Sequence, residues 1–282
     1  MKYLIFLSVT LLVITGCQEV ITVDLEQGPV RLVLEGRIEK IQGIESGYQQ
    51  LMLSTTGEYF ANDETPRVPG ATVVVEDDDG GIYMFSESVD RPGLYETYDL
   101  FAQVGHTYTV TIVFNGETYT ASETLNPVAA IDTAYQKYLE KSGFDEEGIR
   151  IKIDYTDPAD EQNFYYWEQY RNGESVIRVN PGTKWTLLSD DRYNNGQKVR
   201  GKTPNDELIY ESGDVALVRQ LSLGKRAYEY HFYLFKQMGD RGLFDTPPAP
   251  IRGNIENRTN QDNYALGYFG ASEVSEARLI IR

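Results

Sequence analysis

The stretch HTYTVTIVFNGETYTASE, residues 106–123, constrains the fold more than any other. Tyr108, Val110, Ile112 and Phe114 alternate with polar residues, the period of a strand with one buried face. Asn115-Gly116 then supplies two residues that tolerate positive φ, as a two-residue type I′ turn demands. Tyr119 and Ala121 resume the alternation, which predicts a hairpin. ATVVVEDDDGGIYMFSE reads as another, with Ala71, Val73 and Val75 leading into the turn and Tyr83 and Phe85 returning. In PVRLVLEGRIEK, Val30, Leu32, Leu34 and Ile38 share one face, and Arg31, Glu35 and Arg37 the other. Short strands punctuated by turn signals predict a β-sandwich over residues 29–126.

Asn126-Pro127 breaks that pattern, and a second β-rich domain is expected over 127–282. GIRIKIDYTD and NFYYWEQYRNGESVIRVN are strand-rich, with Asn172-Gly173 as a further hairpin turn. Residues 190–207 are polar and turn-rich, which predicts a long exposed loop. In LSLGKRAYEYHFYLFKQMGD the period lengthens: Leu221, Tyr228, Phe232, Phe235 and Met238 recur at helical spacing. A helix over 222–238 follows, with Ser222 as N-cap and Gly239 as stop. Pro247, Pro248 and Pro250 exclude regular structure in DTPPAPIRGN, expected to be a rigid crossover. YALGYFGASEVSEARLIIR reads as a closing pair of strands.

The N-terminus carries an address. Lys2 is a short positive region, and Tyr3 to Ile14 an apolar run shorter than the roughly 20 residues a spanning helix needs. It ends in Ile14-Thr15-Gly16-Cys17, which fits a bacterial lipobox, and Cys17 is the one cysteine of the 282 residues. Residues 1–16 are therefore expected to be a signal peptide, Cys17 the lipidated first residue of the mature chain, and 17–28 a tether. Acyl chains hold a protein at a bilayer by about 0.8 kcal/mol per buried CH₂. With 26 basic against 43 acidic residues, the net charge of −17 argues against nucleic acid and against electrostatic adhesion to anionic lipid.

Two stretches carry a resemblance. VPGATVVVEDDDGGIYMFSE, followed by VGHTYTVTIVFNGETYTA, resembles the carboxypeptidase-regulatory and transthyretin-like sandwich modules of exported bacterial proteins. YEYHFYLFKQMGDRGLFDTPPAPIRGNIENRTNQDNYALGYFGAS is similar to a family of Bacteroidota lipoproteins catalogued as domain of unknown function 4249. The resemblance runs from the lipobox to the C-terminus. It implies a mainly β outer-membrane lipoprotein: an Ig-like or transthyretin-like β-sandwich followed by a β-rich domain with one substantial helix. It also implies an accessory role beside a TonB-dependent transporter of the SusC-like kind, and carries no catalytic residues with it. Glu19 and Asp24, soon after Cys17, favour display at the cell surface over the periplasmic face.

Chemistry is sparse. His106 and His231 are the two histidines; neither adjoins a Gly-x-Ser-x-Gly elbow, and both read as surface or packing residues. No catalytic residue, metal or cofactor is expected: a hairpin turn accounts for the acidic EDDDGG, residues 76–81, and DYTDPADEQN is read the same way. The aromatics are the better binding candidates. If one face of NFYYWEQY is exposed, Tyr166, Trp167 and Tyr170, with Trp185, form a platform for a protein partner or a glycan; the favoured alternative is that both faces are buried, one beneath the helix. Asp132-Thr133-Ala134 fits a short O-glycosylation pattern, with Thr133 as acceptor.

Overall fold

A computed structural model describes residues 28–57, 65–142, 146–176, 187–238 and 251–282. Cys17, Trp185, Gly239 and the proline-rich crossover at 245–250 lie outside the described residues.

The alternating stretches form the strands expected of them. β1 (Leu32–Ile41) pairs antiparallel with β2 (Gln49–Thr55), which pairs with β5 (Leu94–Thr97). β3 (Thr72–Asp77) and β4 (Ile82–Glu87) make the acidic-turn hairpin, and β6 (Thr107–Phe114) and β7 (Glu117–Thr124) the Asn-Gly hairpin. Asn115 and Gly116 have φ of 50° and 77°, both positive as the primed turn requires. The sheet folds back so that Leu34, Ile38, Leu51 and Leu53 pack against Val73, Val75, Val110 and Ile112 in one core, which makes this part a sandwich.

The second half contributes β8 (Ile131–Leu139), β9 (Gly148–Thr156), β10 (Phe164–Arg171), β11 (Glu174–Ser175), β12 (Leu188–Asp190), β13 (Lys198–Lys202), β14 (Val215–Ser222), the helix α1 (Lys225–Met238), β15 (Glu256–Asn257) and β16 (Leu266–Ile280). The chain is mainly β, with one helix among the described residues. β8, β9 and β13 form a separate three-stranded sheet.

Three expectations need correction. The region 190–207 is not all loop: Lys198–Lys202 pairs with β9, because Val199 meets Tyr155 and packs into the second core. The closing segment is a single fifteen-residue strand rather than a pair. The helix starts at Lys225, since Ser222 ends β14 and its Oγ donates to Asn126 O at 2.5 Å rather than capping. Met238 is exposed, leaving Phe235 and Ala227 as the buried residues of α1.

β16 joins the two halves. Its first part pairs parallel with β1, Val33 with Leu266 through Ile41 with Val274, and its second part pairs antiparallel with β14. The main sheet therefore runs unbroken from β11 and β10 through β14, β16 and β1 to β2, across the 126/127 position. Phe269 and Ala271 of β16 enter the sandwich core, while Tyr268 and Val274 pack beneath α1. Gly267 has φ of +85°, and a Cβ there would lie 2.0 Å from Leu34 O; only glycine lets the two strands meet so closely.

Candidate functional site

A cavity of about 600 Å³ opens on the face of this sheet where β1 and β16 meet, within the size range of small-molecule sites. Strand alternation makes its floor. Leu34 and Ile38 point into the core, so Glu35, Arg37 and Glu39 point the other way, beside Tyr268, Gly270 and Ser272 in the parallel register. α1 forms one wall with Ala227, Tyr230, His231 and Leu234. The β1–β2 connection forms another, with Ile44, Ser46 and Tyr48.

The floor is crossed by a closed ring of ion pairs drawn from three strands. Arg37 Nε donates to Glu39 at 2.7 Å, and Arg37 Nη2 donates to Glu168 of β10. Arg219 of β14 donates Nη1 to Glu168 and Nε to Glu276, both at 2.8 Å, and Nη2 to Glu39 at 2.5 Å. β16 and β14 lie between Arg37 and Glu168 in the sheet, and Gly270 of β16 leaves the floor open beside Arg37; a Cβ at 270 would come within 2.9 Å of Arg37 Cβ. Burial would raise the Glu39 carboxyl, but Arg37 and Arg219 beside it hold it below the usual range. Such a ring contributes little net stability, because desolvation offsets the attraction; it does orient every member.

His231 stacks on Tyr166 at 5.3 Å and 13°, and touches Tyr230, Phe235 and Tyr268. Burial, and then the positive field of Arg37, lower its imidazole to about 4, so it is neutral at pH 7. The two serines lining the cavity are engaged elsewhere: Ser272 Oγ donates to Ser222 O at 2.7 Å, and Ser46 Oγ accepts from Tyr48 N at 3.2 Å. Tyr48 closes the mouth. Its hydroxyl sits between Gln50 Oε1 at 3.1 Å and Glu96 Oε1 at 2.5 Å, and burial and the Glu96 carboxylate push the phenol up to about 12.

The aromatics of β10 are not a platform. Trp167 is fully buried: its Nε1 donates to Gln220 Oε1 at 2.9 Å, and Lys202 Nζ lies 4.5 Å from its ring centroid. Tyr166 is buried on the opposite face, beneath α1. The reason is that β10 is sandwiched, with odd residues against the β8–β9–β13 sheet and even residues against the helix. Tyr170 alone of the described candidates lines the cavity, its hydroxyl 3.3 Å from Glu168 Oε2. Thr133 is exposed on β8.

Of the residues that make the cavity, β1 alternation marked Glu35 and Arg37 as outward-facing. Nothing in the sequence joined them to Arg219, Glu168 or His231. Elsewhere, Asp78, Asp79 and His106 bring ligand-type atoms within 4.8 Å of one another at the β3–β4 turn. His106 Nδ1 bonds Asp78 at 2.8 Å there, and Asp78 Oδ2 accepts from Thr107 N at 3.1 Å, so turn geometry accounts for the grouping.

Fold and cavity together define a β-sheet protein with a helix-walled, ligand-sized cleft and an ion-paired floor. The chain belongs to the family described as Domain of unknown function (DUF4249), whose profile matches residues 18–278. No curated protein matches it.

Proposed function

We propose that the chain is a lipid-anchored outer-membrane protein that binds a ligand or partner without transforming it, as an accessory to a TonB-dependent, SusC-like transporter or another surface assembly. The cleft carries the binding part of this reading. It combines aromatic walls with a polar floor held in place by its own ion pairs, and its one histidine is packed among rings rather than against a serine or carboxylate. The lipobox ending in Cys17 supports the anchor, and the acidic Glu19 and Asp24 support outward display.

Affinity recovery of the tagged protein from detergent-solubilised native membranes tests the partnership. Co-recovery of a transporter is expected, and recovery of the protein alone counts against it. Cys17→Ser is expected to abolish acylation, read as loss of the lipid mass on the N-terminal peptide and release of the chain from the membrane fraction.

A further inference from the structure

We infer that the cleft takes a neutral saccharide, with Tyr48 and Tyr98 as the stacking platform at its mouth. This rests on the binding reading of the cleft and adds the chemical class of the ligand.

The first observation is a cluster of exposed rings around Tyr48, which lines the cavity, with Tyr98 and Phe101 beside it. Tyr48, Tyr98 and Phe101 are 38%, 68% and 54% exposed, and the Tyr48 and Tyr98 rings lie 5.1 Å apart. Scattered exposed apolar residues are ordinary, but adjacent exposed aromatics beside a cavity, one of them held by its hydroxyl, mark a contact surface. Fixation here is specific. Gln50 and Glu96 hold the Tyr48 hydroxyl. Gly47 brings the two loops together, since Leu100 N donates to Gly47 O at 3.1 Å and a Cβ at 47 would lie 2.1 Å from Tyr98 O.

The second observation is charge balance. Among the described cations lining the cleft, Arg37 and Arg219 are locked in the ion ring, and Lys40 Nζ holds Glu45 at 2.7 Å. That leaves Arg91 and Glu35, one charge of each sign. A ligand bearing several charges of one sign would shed its hydration and meet a single unengaged counter-charge, Arg91 or Glu35. A sugar loses little by this arrangement. Its apolar C–H face stacks on a tyrosine ring, and its hydroxyls find acceptors on Glu35 and Glu39 and a planar donor and acceptor in the Gln50 amide, which the Tyr48 hydroxyl orients.

The test is titration of the full chain in detergent micelles by saturation-transfer NMR and calorimetry. The probes are maltohexaose, cellohexaose, xylohexaose and mannohexaose, with choline and citrate as cationic and anionic controls. At least one hexasaccharide is expected to bind, and Tyr48→Ala and Tyr98→Ala each to weaken it about tenfold or more. Tyr98→Ala is expected to leave the thermal midpoint unchanged, because its ring is exposed. Binding of choline or citrate with no saccharide overturns the ligand class while sparing the cleft as a binding site. Saccharide binding that survives both substitutions overturns the platform. No binding by any probe overturns the inference, and the membrane co-recovery then reports separately on the accessory role.

Discussion

Arg219 donates Nη1 to Glu168 at 2.8 Å between neighbouring strands β14 and β10, with both side chains less than one-tenth exposed. Each partner also serves the other members of the ring, so neither can be removed alone without stranding a buried charge. Arg219→Met leaves Glu39, Glu168 and Glu276 short of a cation. A loss of about 3–5 kcal/mol is expected, read as a fall in the urea midpoint at unchanged slope.

His231 predicts an acid-sensitive helix. Its folded imidazole lies near 4 against an ordinary 6.5, through burial and the Arg37 charge. The unfolded chain therefore binds the proton first. The contribution is complete above pH 6.5 and is lost as pH falls towards 4, amounting to roughly 3 kcal/mol. Denaturation between pH 7 and 4 should show this slope, and His231→Leu should flatten it. If the slope persists in the variant, another group carries it.

Gly267→Ala should weaken the junction of β1 and β16. Its φ of +85° disfavours any side chain, and the new methyl would collide with Leu34 O. A cost of about 2 kcal/mol or more is expected, with hydrogen exchange quickening across β1 and β16. Gly116→Ala, where no atom lies within 4 Å of the new Cβ, separates the conformational part from the steric part.

Trp167→Ala should cost about 3–5 kcal/mol of stability, through its buried ring and its bond to Gln220. If it instead abolished ligand binding at unchanged stability, the assignment of Trp167 to the core would fail.

The hairpins were legible because their determinants are local. Asn115-Gly116 and Asn172-Gly173 name their turns by residue type, and the φ values, positive at all four residues, agree. The aromatic helix was legible from its period, although its start was misplaced by three residues: Ser222 has a capping residue's chemistry but is held by Asn126 and the end of β14. The aromatics of β10 show the limit. Both parities are apolar, and periodicity cannot tell a strand covered on two sides from one that displays a ring. A second sheet on one side and α1 on the other decided it.

Sequence by itself determined the mainly β character, the turns, the aromatic helix and the outward face of β1 bearing Glu35 and Arg37, because each depends on neighbours within a few residues. Tertiary structure alone decided that β1 takes β16 as its parallel partner across more than two hundred residues, and that Arg37, Glu39, Glu168 and Arg219 close into one ring. Strand alternation specifies which face a side chain occupies and is silent about which strand lies alongside. The cleft is built from that second kind of information, so it exists only once β1 and β16 have met.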